Sequence, residues 1–349
     1  MFELLKGVTV LDLSTVVFGP FASQMLADFG ADVIKVESPD GDIFRAAAPA
    51  RHRGMGAGYL NLNRNKRSIS LDLKRPEGRA ALDDLVREAD VFLHNMRLQA
   101  VERLGFGPAA LRARNPKLVY CSAIGFGSDG PYAARPAYDD VIQGLSGSAD
   151  LMARLVDEPR YMPTIMADKT CGLVTVNAIL AALYEREQSG EGQFVEIPML
   201  ETMVAFNMAD HIFGHAFEPP EGPMGYSRVL TPSRRPYKTL DGYICLLAYT
   251  DPQWERFWAE VGVPELKDDP RFDSLASRAD NIEAVYRLAG EYIATRTTAE
   301  WLTSRHAKPR QTDCPEIFER HARRLGLHHD ERAARHALHR SDCRFVGQD

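Results

Sequence analysis

One carboxylate in the sequence stands where it could act as a nucleophile. Asp168 lies between a segment with extended character, residues 161–166, and a long apolar stretch, residues 168–187. The first turn of a helix offers free amide hydrogens and the positive end of the helix dipole, which stabilise an anion. An ionised carboxylate there could attack a thioester carbonyl and carry the acyl or thiol group covalently. Aspartate is also among the best helix N-cap residues, so position alone leaves both roles open.

A second candidate site is the loop after the first predicted strand, residues 14–20 (STVVFGP). Open α/β sheets bind ligands beyond the carboxyl ends of their strands. A dinucleotide enzyme would place GxGxxG here, but the loop has one glycine, Gly19. Glu37, which closes the second predicted strand, could imitate a ribose-binding acid, although a surface or loop-anchoring role is the simpler interpretation. No Walker A, zinc-protease or GxSxG pattern occurs.

The C-terminal residues raise the question of a metal site. Residues 305–349 contain nine arginines and six of the ten histidines, with almost no aliphatic periodicity. His336, His339 and Cys343 would share one face of a helix, but helical spacing alone does not supply a closed set of ligands. We therefore predict no metal and a solvated or poorly packed extension.

The elements that must position the candidate residues alternate between strands and helices in the first half of the chain. Strand, helix and strand within about 30 residues form a βαβ unit, whose strands pair in parallel. The pattern predicts an open, largely parallel, Rossmann-like α/β sheet. The predicted strands are 8–13, 33–37, 68–73, 91–94, 118–123 and 194–197, with helices after the first loop and over 77–88, 168–187 and 199–213.

The second half of the chain predicts a smaller unit. Residues 214–236 are rich in proline and glycine, and Asp241-Gly242 is a strong hairpin signal. Amphipathic segments with Trp254, Trp258 and Trp301 follow. The predicted organisation is a large α/β domain over 1–213, a linker over 214–236, a small α+β domain over 237–305 and an atypical tail over 306–349. The helix over 168–187 is apolar on nearly every side, which predicts that it is buried.

Composition excludes several classes of function. The net charge of −6 argues against nucleic acid as the main partner. No run of about 18 apolar residues occurs, so we predict no membrane span. Five scattered cysteines without a CxxC pair favour a reducing, cytoplasmic location.

Three segments, in order, carry a specific resemblance. They are VLDLS with the following Gly19-Pro20 and LADFGADVIKVE (10–37), NKRSISLDLK (65–74), and Ala167-Asp168 with Gly172 and GEGQ (190–193). In this order they closely resemble the family III coenzyme A transferases, of the formyl-CoA transferase and carnitine CoA-transferase type. The resemblance covers about residues 4–305.

The resemblance implies a two-domain chain, an interlocked homodimer and a ping-pong reaction in which Asp168 is the nucleophile. The implied partners are an acyl-CoA and a free carboxylic acid, and CoA is a substrate, so no separate cofactor is expected. Aspartyl chemistry requires an ionised carboxylate, for which a helix N-terminus is apt. The identity of the donor and acceptor acids stays open.

The resemblance also transfers a set of substrate contacts. It implies that the first loop, the segment after the third strand and the loop after the fourth strand contact CoA, that Arg103 contacts phosphate, and that a tyrosine–aspartate pair lies near the acyl group. Surface charge or packing roles are the alternatives for these side chains. The implied residues are Val17, Phe18, Leu71, Asp72, Leu73, Lys74, Asn95, Met96, Arg97, Arg103, Tyr138 and Asp139.

Three departures from the family pattern matter. Ser38 stands where some members have arginine at the adenine end, and residues 246–250 (LLAYT) replace a glycine-rich loop, which argues against oxalate as acceptor. The tail differs from the usual last segment, so a catalytically impaired family member is one alternative. The other is a 2-methylacyl-CoA racemase, which needs two acid/base groups. That reading is disfavoured because Tyr138 occupies the histidine position and no histidine lies between His94 and His211.

Overall fold

The computed structural model describes residues 3–303, and the predicted tail lies outside them. The chain divides into two compact units, Met1–Gly225 and Tyr226–Asp349. The division falls inside the predicted linker over 214–236.

The first unit is built on six parallel strands in the order β3-β2-β1-β4-β5-β6. This is the doubly wound order 3-2-1-4-5-6 of dinucleotide-binding sheets. Strands β1 and β4 are neighbours, and the strand order reverses between them. The crevice in which such sheets bind ligands therefore lies between these two strands. The strands are β1 (Thr9–Asp12), β2 (Asp32–Glu37), β3 (Arg67–Ser70), β4 (Val91–His94), β5 (Val119–Ile124) and β6 (Phe194–Pro198).

Helices cover both faces of the sheet, because its central strands are apolar on both sides. Every residue of β4 and β5 is buried. Successive residues alternate between two core clusters: Leu93 belongs to a first cluster with Phe18 and Ile179, whereas Phe92 belongs to a second cluster with Leu82 and Val101. The helices are α1 (Phe18–Asp28), α2 (Ala57–Leu62), α3 (Pro76–Glu88), α4 (Leu98–Arg103), α5 (Pro108–Arg114), α6 (Asp139–Leu145), α7 (Ser148–Val156), α8 (Met166–Ser189) and α9 (Met199–His211).

Helix α8 corrects one prediction. Eight of its residues are buried, but Leu173 is 51% exposed and Tyr184 is 71% exposed. The apolar sequence therefore does not mean burial on all sides in this chain. In the described part of the chain, α8 is also the one helix long and apolar enough to cross a membrane, a test that a buried core helix passes equally. It ends at Gly190, whose positive φ of 80° suits glycine.

The second unit contains the predicted hairpin and its own aromatic core. Strands β7 (Tyr237–Lys238) and β8 (Tyr243–Ile244) pair antiparallel across the Asp241-Gly242 turn. The core contains Trp254, Trp258 and Trp301. The helices of this unit are α10 (Asp251–Glu260), α11 (Leu275–Asp280), α12 (Ile282–Ile293) and α13 (Thr298–Thr303).

Candidate active site

A cavity of about 390 Å³ lies beyond the carboxyl ends of β1, β4 and β5. This is the position at which open α/β sheets bind ligands. The loops after these strands, the first turn of α1 and the first turn of α8 form its walls. The lining residues are Thr15, Val16, Val17, Phe18, Ile43, Asn95, Arg97, Leu98, Gln99, Ala123, Ile124, Gly125, Phe126, Ser128, Ala133, Arg135, Pro136, Ala137, Tyr138, Asp168 and Met199.

Asp168 is the carboxylate of this cavity. Helix α8 begins at Met166, so Asp168 is its third residue and its side chain does not cap the helix. Its backbone N–H donates to Asp139 Oδ1 at 3.0 Å. The Asp168 carboxylate accepts no hydrogen bond from any residue within 3–303. Asp168 is therefore not the N-cap of α8, and its carboxylate is available to a ligand.

The protonation of Asp168 differs from the expectation drawn from the helix N-terminus. Burial, followed by the negative charge of Asp139, raises the pKa of Asp168 to about 7. Both effects disfavour the ionised form, and they outweigh the stabilisation expected from the helix end. Both the neutral and the ionised form of Asp168 are therefore populated near neutral pH. Catalytic acids, bases and nucleophiles commonly have pKa values that are shifted in this way.

Asp139 is the second carboxylate, and it is buried behind Asp168. Its Oδ2 accepts from Gln143 Nε2 at 2.5 Å, while its Oδ1 holds the Asp168 amide. Gln143 Oε1 in turn accepts from the backbone N–H of Met162 at 2.9 Å. This chain of hydrogen bonds connects α6, the segment before α8 and the first turn of α8. Tyr138, the residue before Asp139, is 70% exposed and lines the cavity.

The loop between β1 and α1 forms another part of the cavity wall. Asn95 holds Thr15 at both backbone groups, since its Oδ1 accepts from Thr15 N at 3.0 Å and its Nδ2 donates to Thr15 O at 2.8 Å. Val17 is the N-cap of α1 and makes no side-chain cap. The first turn of α1, which includes Phe18, therefore presents uncapped amides in a segment that lines the cavity, an arrangement that favours bound anions.

A glycine lets α8 approach α1 closely enough to place both helix starts at one cavity. A Cβ on Gly172, one turn after Asp168, would lie 2.9 Å from Phe21 Cδ1 and 3.2 Å from Phe18 O. Any larger residue would push the helices apart. The glycine in the Asp168 motif thus has a packing role.

Arginines provide the positive charge of the site. Arg97 and Arg135 line the cavity, and Arg97 also lines an adjoining depression together with Arg103. Arg97 donates to Ala134 O at 3.4 Å and Arg103 to Gln99 O at 3.2 Å. None of the three arginines forms an ion pair with a carboxylate in the described part of the chain. Their charges remain available to phosphate or carboxylate groups.

The predicted site residues fall into two groups. Val17, Phe18, Asn95, Arg97, Tyr138 and Asp168 line the cavity, with Asp139 behind it and Arg103 in the adjoining depression. The other predicted contacts do not line the cavity, although they also follow the carboxyl ends of strands. Leu71, Leu73 and Met96 pack against the second core cluster, and Asp72 Oδ1 accepts from the backbone N–H of Lys74 at 3.0 Å.

The sequence did not predict one cavity arginine or the backbone conformation of one residue in the first loop. Arg135 stacks over the Tyr132 ring, 4.6 Å from its centroid, in a loop with no recognisable motif. Val16 has a left-handed φ of 70°. This conformation is unfavourable for a β-branched residue, so the residue type does not predict it. Glu37, by contrast, is the loop-anchoring carboxylate that the sequence favoured. Burial would raise its pKa, but hydrogen bonds led by that from Arg45 lower the pKa to about 2.

Comparison with known proteins identifies the family. The family model described as "CoA-transferase family III" matches residues 5–309. This chain belongs to the family III CoA-transferases. It is 37% identical to the succinate–glutarate CoA-transferase of Agrobacterium fabrum over 85% of this chain and 75% of that protein. It is 33% identical to the formyl-CoA:oxalate CoA-transferase of Streptomyces avermitilis over 84% of this chain and 76% of that protein.

Solved structures agree with the family. A CaiB/BaiF family protein from Brucella suis superposes with a TM-score of 0.70 at 34% identity, covering 85% of this chain and 80% of the other. Rv3272 of Mycobacterium tuberculosis superposes with a TM-score of 0.74 at 33% identity, with the same coverage. The predicted Rossmann-like parallel sheet and the predicted family are therefore confirmed.

Proposed function

We propose that this family III CoA-transferase moves CoA between an acyl-CoA thioester and a free carboxylate through covalent intermediates on Asp168. The observation that carries the proposal is the Asp168 carboxylate itself. It lines the cavity, accepts no hydrogen bond from the described residues and has its pKa raised to about 7. A carboxylate that is not solvated by protein donors is a better nucleophile once it is ionised.

The reaction balances without any further reagent. An Asp168 oxygen attacks the thioester carbonyl, the C–S bond breaks, and a mixed anhydride and the CoA thiolate form. The thiolate attacks the aspartyl carbonyl of the anhydride, which releases the donor acid and leaves an aspartyl-CoA thioester. The acceptor carboxylate then attacks the aspartyl carbonyl of this thioester, and the C–S bond breaks to release the CoA thiolate and leave a second mixed anhydride. The thiolate attacks the acceptor's carbonyl in this anhydride, and the bond from that carbonyl to the Asp168 oxygen breaks, which forms the new acyl-CoA and frees the Asp168 carboxylate.

The surrounding residues support each step by position and charge. Asp139 holds the Asp168 amide and thereby orients the first turn of α8. The uncapped start of α1, including Val17, can stabilise negative charge that develops on a carbonyl oxygen. Arg97 and Arg103, free of carboxylate partners in residues 3–303, are suited to the phosphates of CoA.

The acids exchanged are best sought among dicarboxylates. Two of the relatives compared above are named for succinate, glutarate and oxalate, and a mesaconate transferase of Haloarcula hispanica is 32% identical, whereas Rv3272 is named as a probable fatty acyl-CoA transferase. Arg135 adds a second cation to the cavity that could hold a distal carboxylate. No observation favours the racemase alternative, since no histidine occurs among the cavity-lining residues within the described chain.

The experiment is to trap the intermediate. Incubation with succinyl-CoA should leave a hydroxylamine-sensitive adduct on the peptide that contains Asp168, detected by mass spectrometry. Asp168→Ala should lose turnover by several orders of magnitude and retain its circular dichroism spectrum. Near-normal transfer by this variant would refute the mechanism. Asp140→Ala, which removes an exposed neighbouring carboxylate, is the matched control and should transfer CoA normally.

We also propose that the chain forms a homodimer. Large apolar side chains on α8 and α9 are exposed in the single chain, with Leu173 51%, Val204 38% and Phe206 50% accessible. Association of a second copy over these residues would remove them from water. Sedimentation equilibrium should give twice the chain mass of 38.9 kDa, and a monomer at micromolar concentration would contradict the proposal.

A further inference from the structure

Val16 has an unfavourable backbone conformation at the edge of the cavity. Its φ of 70° lies in the left-handed region, where a β-branched side chain collides with its own backbone. Such a conformation persists only where neighbouring groups hold it, and it is concentrated at functional sites. Val16 immediately precedes Val17 and α1, so its conformation sets the direction in which α1 starts.

Asp42 is the side chain that holds Val16. Both of its carboxylate oxygens lie 3.2 Å from Val16 N and accept its hydrogen. The Asp42 side chain is completely buried and pairs with the equally buried Lys35 Nζ at 3.2 Å. Lys35 Nζ also donates to the carbonyl oxygen of Ser14. One ion pair therefore holds the loop at two consecutive peptide groups.

The same carboxylate also organises the 3-10 turn that contributes Ile43 to the cavity wall. Asp42 caps the 3-10 turn Ile43–Ala46 by accepting from Phe44 N at 2.9 Å. Ile43, the first residue of that turn, lines the cavity and is 76% exposed. The backbone N–H of Asp42 donates to Glu37 Oε2 at 2.9 Å. Asp42 thus connects the end of β2 to both Val16 and Ile43 without lining the cavity itself.

A second buried ion pair supports the loop from beneath. Lys66 Nζ lies 3.0 Å from Asp12 Oδ2 and also donates to Pro20 O at 3.1 Å and Ser23 Oγ at 2.8 Å. Asp12 Oδ1 accepts from Ser14 N at 2.9 Å. These contacts fix both ends of the loop, and its centre is held by Asn95 at Thr15 and by Asp42 at Val16.

We propose that Asp42 is a positioning residue for CoA transfer, which holds Val16 in the left-handed conformation and so aims the start of α1 at the reacting carbonyl beside Asp168. The inference rests on the proposed function of Asp168. It adds a residue that touches no substrate and acts through the backbone of Val16. Glycine adopts a φ of 70° without strain, so the need for Asp42 should be smaller in a chain that has glycine at position 16.

A double-mutant cycle between Asp42→Ala and Val16→Gly tests this dependence. The readouts are the single-turnover rate of adduct formation on Asp168 and the urea midpoint of unfolding. Asp42→Ala should slow adduct formation about 100-fold, as small misplacements of reacting groups do. In the Val16→Gly background, Asp42→Ala should slow adduct formation by about tenfold or less. The tenfold difference between the two backgrounds corresponds to a coupling free energy of about 1.4 kcal/mol. If Asp42→Ala does not fold, Asp42→Asn takes its place throughout the cycle.

Asp90 provides the matched control. It also accepts a backbone hydrogen bond, from Thr9 N at 2.7 Å, and pairs with Arg186 at 2.7 Å, but at the amino ends of β1 and β4, the end of the sheet opposite to the cavity. Asp90→Ala should lower the urea midpoint and be additive with Val16→Gly. Additivity of Asp42→Ala with Val16→Gly, or normal adduct formation by the Asp42 variants, would overturn the inference. Absence of any adduct in the wild-type protein would instead contradict the proposed function, and the urea-midpoint cycle would still decide the role of Asp42.

Discussion

Replacing Asp168 with asparagine should stabilise the folded protein, and the gain should depend on pH. In the unfolded chain the carboxyl has its usual pKa of 3.8, whereas burial and Asp139 raise the pKa to about 7 in the folded chain. Between these values the unfolded state loses the proton first, so ionisation of Asp168 costs folding free energy as pH rises. Asparagine resembles the neutral acid and does not incur this cost.

The magnitude follows from the difference between the two pKa values. About 3 pH units at about 1.4 kcal/mol each set an upper limit of about 4 kcal/mol at pH 8. Asp168 is partly exposed, and water screens part of the effect, so we expect a gain of about 2–4 kcal/mol. The gain should be no more than about 0.5 kcal/mol near pH 4, grow between pH 4 and 7, and be nearly constant by pH 8.

Urea unfolding of both proteins at pH 4, 5.5, 7 and 8 measures this difference. Groups that do not interact with Asp168 titrate alike in the two proteins, so their contributions cancel in the comparison. Asp140→Asn, at an exposed neighbouring position, should change the unfolding free energy by less than about 0.5 kcal/mol at every pH. Equal stability of the Asp168→Asn variant and wild type at pH 8, or a gain that is the same at pH 4, would refute the reasoning.

Two further predictions concern catalysis and binding. Asp139→Asn should move the acidic limb of the transfer pH profile about one pH unit lower, because the nucleophile must be ionised and Asp139 is the smaller of the two causes that raise the pKa of Asp168. Arg97→Ala and Arg103→Ala should each weaken CoA binding by about 1.5–3 kcal/mol in calorimetry, the usual worth of a hydrogen bond to a charged group.

Each of these predictions has a control variant. Asp140→Asn should leave the acidic limb in place, and a limb that does not move in Asp139→Asn either would show that Asp139 does not set the ionisation of Asp168. Arg87→Ala removes an exposed arginine of α3 that pairs with Asp84 and does not line either cavity. Affinity unchanged in both Arg97 and Arg103 variants, as expected for Arg87, would identify them as surface charges.

The sequence by itself determined the family, the strands and the position of Asp168. Runs such as Val91–His94 are apolar on both faces, which only a strand covered by two helical layers can satisfy, and the observed β4 has these bounds. The helix predicted over 199–213 likewise corresponds to α9, Met199–His211. These features depend on neighbours along the chain, so local patterns were sufficient to predict them.

Only the tertiary structure decided the chemistry around Asp168. Asp139 precedes it by 29 residues, and their contact through the Asp168 amide exists because α6 folds against the first turn of α8. Likewise the left-handed Val16 is held by Asp42, 26 residues away, against the preference of its own side chain. The ionisation of a carboxylate and the conformation of a strained residue depend on charges and donors brought close by folding. Their physical cause therefore lies in distances between segments, which the order of residues along the chain does not specify.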